Sequence, residues 1–301
     1  GVAGILLSVP PIFRGVVWIF LQEEAIRQGG VLKVDKMEGA LWKPLVLEGV
    51  HWETGRAIGG SLGVDAEKLE IVFRWDKCLP WASGGGFFES LSVQGGRFKW
   101  KGEGGVKKDR AVYEGWSLGT PIFPWMPEHM HLEVKQGEVE VSQMVIRMEN
   151  LQMSLSSVAA GGFRIGKVGV KAGKWEQSFR EVVGKAALQG AKVQLGDFVL
   201  QEGVQVDQAT ADVSKLSKGI VELGLKAKAF AGELDVEASL MPYSVDVPLE
   251  MSGKFSRIGV APVAAFFGVT EAAGGVLETG NFSLRGVPTQ WERGAGTLRL
   301  D

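Results

Sequence analysis

Residues Gly39–Trp75, GALWKPLVLEGVHWETGRAIGGSLGVDAEKLEIVFRW, carry the pattern that decides the fold. A short apolar strand, Leu45-Val46-Leu47, ends at Glu48-Gly49 and resumes as Val50-His51-Trp52. A polar, glycine-rich turn follows, and a second strand runs from Ala66 to Trp75. There Leu69, Ile71, Phe73 and Trp75 alternate with Lys68, Glu70, Val72 and Arg74. A period of two puts the first set on one face of a sheet and most of the charges on the other. One face is dry and the other is wet.

The same alternation recurs along the chain. Leu91 and Val93 share a face, then Phe98 and Trp100 alternate with Arg97, Lys99 and Lys101. Residues 101–111 read as a polar turn. Met130, Leu132 and Val134 follow, and Gly137 reads as a turn into Val139 and Val141. Next come Leu151/Met153/Leu155, Phe163/Ile165, Val168/Val170, Val193/Leu195, Phe198/Leu200 and Val204/Val206. Val221, Leu223, Leu225, Ala227 and Ala229 form the longest run. Leu234, Val236, Ala238 and Leu240 come after it, then Phe282/Leu284 and Leu298/Leu300. More than a dozen strands, many of only four to six residues, joined by tight turns, imply an antiparallel meander. A flat sheet of that size would expose a large apolar face, so it must curl into a barrel, a sandwich or an open groove.

Three stretches read as helical. Ile12 to Gln28 starts after Pro11, which suits a first turn, and stops before Gly29-Gly30. Lys174 to Gln189 places Trp175, Phe179, Val182, Val183 and Ala186 at helical spacing. A short helical turn fits Pro262 to Phe267. Residues 2–9, VAGILLSV, are uncharged but too few to cross a bilayer, which takes about 20. They read either as a loose tail of a core helix or as the last turns of a membrane anchor, with the helix at the membrane surface. The second reading divides the chain into residues 1–30, anchor end and juxtamembrane helix, and 31–301, a continuous curled sheet. A proline-broken loop lies near 117–128, where Pro121, Pro124 and Pro127 exclude a central strand.

The composition, 45% hydrophobic and 23% charged, is that of a folded chain. A net charge of -2, with both signs interleaved, argues against nucleic acid as a partner. The single cysteine, Cys78, excludes an internal disulfide and a Cys-based zinc site.

No nucleophile elbow, phosphate loop or HExxH sequence is present, and the chain reads as no enzyme, with no cofactor. His129 and His131 share a strand face, but on the wet side and without a clear third ligand, so they read as surface residues. Gly84-Gly85-Gly86 reads as a turn, and Glu138/Glu140 as solvated strand residues. The tryptophans of the first 125 residues serve as packing, or Trp42, Trp52, Trp81, Trp116 and Trp125 line a cavity near a membrane or contact a partner.

The strand pair of Gly39–Trp75, with its GVDAEKLEI segment, resembles the start of AsmA-like proteins, TamB-like ones included. So do the later pieces Gly253-Lys254-Phe255, Gly274-Gly275-Val276-Leu277, Phe282-Ser283-Leu284-Arg285-Gly286 and Gly296–Leu300, together with Leu234–Leu240 after Phe230-Ala231-Gly232. The resemblance implies a mainly β, elongated, curled antiparallel sheet forming an apolar groove, with an N-terminal helix and one or two short inserted ones. It implies a bacterial envelope protein, anchored in the inner membrane with its β-region in the periplasm. Its role would be phospholipid transport towards the outer membrane, and an outer-membrane protein is an implied partner. The groove-lining candidates are Leu45, Leu47, Leu69, Ile71, Phe73, Trp75, Leu91, Val93, Leu132, Val134, Leu151, Met153, Leu155, Val221, Leu223, Leu225, Leu234 and Val236. The main alternative is a purely structural sandwich or solenoid of the envelope without lipid cargo. A transmembrane barrel would show longer strands and aromatic girdles, and a carbohydrate-active protein would show clustered acids in a groove.

Overall fold

The computed structural model describes residues 9–27, 30–40, 42–57, 60–74, 88–102, 127–141, 144–173, 175–215, 220–241, 249–266, 268, 274–286 and 294–300. Among them one sheet of fifteen strands follows the order of the sequence. The first eight are β1 (Gly30–Ala40), β2 (Lys43–Ala57), β3 (Gly60–Phe73), β4 (Phe88–Gly102), β5 (His129–Val141), β6 (Met144–Ser156), β7 (Gly161–Ala172) and β8 (Trp175–Gln189). The rest are β9 (Lys192–Gln201), β10 (Val204–Asp212), β11 (Val221–Ala229), β12 (Gly232–Leu240), β13 (Leu249–Gly259), β14 (Val276–Gly286) and β15 (Ala295–Leu300). Helix α1 (Pro10–Arg27) precedes β1, and α2 (Val260–Phe266) links β13 to β14. The protein is mainly β, a single curled and open sheet. No helix among the described residues is long and apolar enough to cross a membrane.

The expected meander holds with one correction: β4 and β5 pair in parallel. The chain between Gly102 and His129 is longer than the dozen residues a parallel crossover needs, and it contains the three prolines. Of the expected loop at 117–128, Pro127 and Glu128 are described, and the rest lies outside the described residues.

The first eight strands share a crease. Each ladder skips a position mid-strand, and these skips line up. Asp35 stands opposite Gly49, Gly49 opposite Glu67, and Glu67 opposite Gly95. After a register shift between β4 and β5, the line continues through Lys135, Asn150, Gly166 and Glu181. Gly49, Gly95, Asn150 and Glu181 on this line have φ of 60°, 63°, 54° and 50°. Such a bulge-like residue bends its strand and steps the side-chain alternation by one. Leu47 and Val50 therefore face the same way, as do Phe179 and Val182, and all four are buried. Without the step, the second member of each pair would point to the opposite face. A further interruption, Asp197 opposite Asp207, does the same in β9 and β10.

Four other expectations are corrected, the first and last of them by the crease. The four- to six-residue strands of the sequence reading are halves of longer ones: Leu45–Leu47 and Val50–Trp52 both belong to the fifteen-residue β2. The polar turn placed after Trp52 shrinks, because β2 runs on to Ala57 and β3 begins at Gly60. Gly137 is no turn but an interior residue of β5. The segment Lys174–Gln189 is no helix but strand β8. Trp175 and Phe179 precede Glu181 while Val182 and Ala186 follow it, so two period-two runs offset by one residue imitate helical spacing.

Curling is visible at the second helix. On a flat sheet β8 and β13 would stand about 24 Å apart, five strand spacings. Helix α2, about 10 Å long, starts at the end of β13 and still reaches β8, so the sheet has curled to shorten that distance. Trp175 Nε1 and Gln177 Nε2 of β8 both donate to the Phe266 carbonyl, at 3.2 and 2.9 Å. The Phe266 ring packs on Trp175 and on Phe230, with centroids 5.7 and 5.5 Å away.

Helix α1, expected over Ile12–Gln28, lies on the first strands. Phe13 is buried with Leu45, Leu47, Val50 and Ala66, and Val17 and Leu21 pack against the same cluster. Arg14 Nη1 donates to the Met37 carbonyl at 3.2 Å and Gln22 Nε2 to that of Leu32 at 2.9 Å. These bonds tie the helix along edge strand β1, a usual way to shield a sheet edge.

Candidate functional site

The strand registers set the candidate residues in rows. Met37, Leu47, Leu69, Val93, Leu132, Met153 and Phe163 are directly opposite one another from β1 to β7. A second row holds Leu45, Ile71, Leu91, Met130 and Leu155. Across the crease, Val134 pairs with Leu151, which pairs with Ile165 and then Val182. In the later strands Ala186, Leu195, Ala209, Leu225, Val236, Gly253, Phe282 and Leu298 form one row. Leu223 lies in the adjacent row with Ala238 and Met251, and Leu234 in another with Ala227 and Phe255. Val221 pairs with Leu240 near the strand end. Trp75, Trp81, Trp116 and Trp125 lie outside the described residues. Trp52 joins a row with Leu32 and Val64, whereas Trp42 is 71% exposed.

These residues are unequally covered. Leu45 and Leu47 are almost fully buried, under α1. Val134, Leu151, Leu155 and Val236 are buried too, while Leu69, Ile71, Phe73, Leu91, Val93, Leu132, Met153 and Leu225 are half-buried. Leu223 is exposed at 36%. The candidates leave out most of a second buried cluster on this face, Phe163, Phe179, Val182, Ala186, Leu188, Phe198 and Val206. Four of these seven lie in β8, whose spacing imitates a helix. Allowing a one-residue slip in the alternation places those four on the apolar face, while Phe163, Phe198 and Val206 already alternate within their strands.

Several phenylalanines on this face lie flat. A β-carbon on Gly137 would meet the Phe98 ring, and one on Gly184 the Phe163 ring. Gly253 stands opposite Phe282 and Gly280 opposite Phe255, with the same crowding in both pairs. Each ring covers a neighbouring backbone instead of standing up into the interior.

The opposite face is charged and cross-linked. Glu138 accepts from Lys99 at 2.7 Å and Arg147 at 2.8 Å. Those two bonds, Lys99 first, hold its carboxyl below the ordinary glutamate range. Lys185–Asp197, Arg164–Glu181 and Lys36–Glu38 bridge in the same manner, at 2.6, 2.6 and 2.9 Å. His51 Nδ1 contacts Asp65 Oδ1 at 2.6 Å. This is a solvated face, worth little per pair.

The two paired histidines have hydroxyl partners: His129 Nδ1 lies 3.1 Å from Ser156 Oγ and His131 Nδ1 3.1 Å from Ser154 Oγ. Ser156 Oγ already accepts from the amides of Val158 and Ala159, at 3.2 and 3.1 Å. Among the described residues no group of three or more His, Cys, Asp or Glu is placed to hold a metal ion. No buried side-chain nitrogen or oxygen among them lacks a partner, so no polar group waits inside for a polar ligand.

The fold is a single open, curled β-sheet that buries two apolar clusters and carries ion pairs between its exposed side chains. No protein-family model matches this chain, and neither a curated protein nor a solved structure does.

Proposed function

We propose that the creased inner face carries or shields the acyl chains of phospholipid or another acyl-chain lipid, in an envelope protein working between the inner and outer membranes. The N-terminal region would meet the inner membrane and the sheet would stand in the periplasm, as the AsmA-like resemblance implies. An outer-membrane protein would be the receiving partner.

The observation that carries this reading is the row from Met37 to Phe163, seven apolar side chains in direct register across seven strands. At about 4.8 Å per strand it runs about 29 Å, close to the full hydrocarbon thickness of a bilayer. Each methylene kept from water is worth about 0.8 kcal/mol, so a fifteen-carbon chain needs on the order of 12 kcal/mol of shielding. A half-buried row supplies such shelter step by step and needs no catalytic group. The rival reading, a structural sheet whose interior is simply its core, draws on Val182 and Val206, which are 2% and 1% exposed.

Lipid extraction of gently purified protein, followed by mass spectrometry, separates the two. Co-purifying lipid, lost in Leu225→Asp, is the expected result. Absence of lipid, together with unchanged envelope permeability in Leu225→Asp at normal protein levels, overturns the reading.

A further inference from the structure

We propose that α1 is a built-in occupant of the lipid face, which acyl chains must displace before they reach strands β1–β3. This rests on the lipid reading above and adds a gate to it. Phe13, Val17, Leu21 and Ala25 recur every four residues and so form one ridge of the helix. Phe13 and Ala25 are each 3% exposed, and Phe13 meets Phe73 edge to face at 6.4 Å. Phe13 shares one buried cluster with Leu45 and Leu47, and Val17, Leu21, Leu69, Ile71 and Phe73, the last three at the start of the candidate rows, all pack against that cluster. Further along the same rows, Leu132 and Met153 are half-buried. One apolar surface is therefore covered by a helix at Leu45 and Leu47, half-buried through Leu69, Val93, Leu132 and Met153, and buried again at Phe163.

The helix is not shaped for this seat alone. Its outward side bears Ile12, Val16, Ile19 and Ile26, exposed at 41, 51, 59 and 69%. A helix fixed permanently on a core carries polar residues on its outer face. This one is apolar on both sides up to Leu21, with Arg14 the lone charge, so leaving the seat exposes little that is not already compatible with a lipid environment. Arg14 and Gln22 hold it to β1 through backbone carbonyls, bonds that break without leaving a buried charge. Seated, α1 closes the first strands; released, it frees Leu45, Leu47, Leu69 and Ile71 for an acyl chain.

The test places p-benzoylphenylalanine, a photo-crosslinker, at Leu69, which packs against the cluster that holds Phe13, or at Leu132 beyond it. Each is made in the full chain and in an Arg14→Ala/Gln22→Ala variant, which weakens the seat without touching the ridge. All four are illuminated with vesicles of phosphatidylethanolamine and phosphatidylglycerol. The Leu132 probe is expected to capture lipid in both backgrounds. The Leu69 probe should capture little until the tethers are removed and then on the order of tenfold more, as for a site freed from a mostly populated closed state. Equal capture at Leu69 in both backgrounds overturns the gate, as does silence at Leu69 in both while Leu132 reacts. Silence at both positions in both backgrounds overturns the lipid reading itself. Thermal unfolding of the variant confirms that the sheet is intact.

Discussion

Phe282 of β14 lies across Gly253 of β13, its ring where a β-carbon on that glycine would stand. The Asp235 carbonyl crowds the same spot from the other side. Gly253→Val is therefore expected to destabilise the protein by about 1–3 kcal/mol, the usual cost of overpacking. Removing the ring as well, in Gly253→Val/Phe282→Ala, should recover part of that loss. Chemical denaturation of the four members of the cycle measures the coupling, and additive effects would contradict the contact.

The crease makes a paired prediction. Gly49 has φ of 60° and would set its β-carbon against the Asp35 side chain, so Gly49→Ala should cost about 1–2 kcal/mol. Glu181 holds the same kind of backbone, φ of 50°, with a side chain that disfavours it. Glu181→Gly should be stabilising by up to about 1 kcal/mol. Measured in an Arg164→Ala background, the comparison is free of the exposed Arg164–Glu181 bridge. Opposite signs at the two positions are the expected outcome in thermal unfolding.

Which parts of this were legible follows from the same residues. Gly253-Lys254-Phe255 and Gly280-Asn281-Phe282 repeat one Gly-x-Phe pattern, and antiparallel pairing sets each glycine opposite the other's phenylalanine. The apolar rows were legible because alternation survives within each half-strand. The crease was not, since a single slipped residue such as Glu181 breaks the period and makes β8 look helical. Nor could the seat of α1 be read, because a helix apolar on every side marks no face. The α2 contact joins Gln177 to Phe266 across 89 residues, with no local signal at either end.

The turn between β11 and β12 is built from Phe230 and Ala231, with φ of 58° and 67°. Asn-Gly is the usual solution for such a two-residue hairpin. Ala231 is exposed, so Ala231→Gly should raise stability by up to about 1 kcal/mol. Phe230→Asn should lower it instead, although asparagine suits the turn better. The Phe230 ring packs on Phe266 at 5.5 Å, and such aromatic pairs are worth about 0.5–1.5 kcal/mol beyond the area they bury. Calorimetry of the two single variants tests whether strain is kept here to anchor α2. A rise in both would remove that explanation.

Acid should weaken the charged face at an identifiable place. Glu138 sits between Lys99 and Arg147, and their hydrogen bonds lower its pKa below the ordinary value of 4.5. A carboxyl whose folded value is depressed adds stability that is fully present above its unfolded value. That stability disappears as pH falls through the folded value. The native protein should therefore exceed Glu138→Gln in unfolding free energy at neutral pH, by a margin of about 1 kcal/mol or less for a bridge this exposed. The margin should hold down to about pH 5, shrink below 4.5 and close in stronger acid, where both side chains are uncharged. High salt should shrink it at neutral pH too, because the pairs are open to solvent. A margin that stays constant through the acid range would mean that the contacts of Glu138 do not depend on its charge.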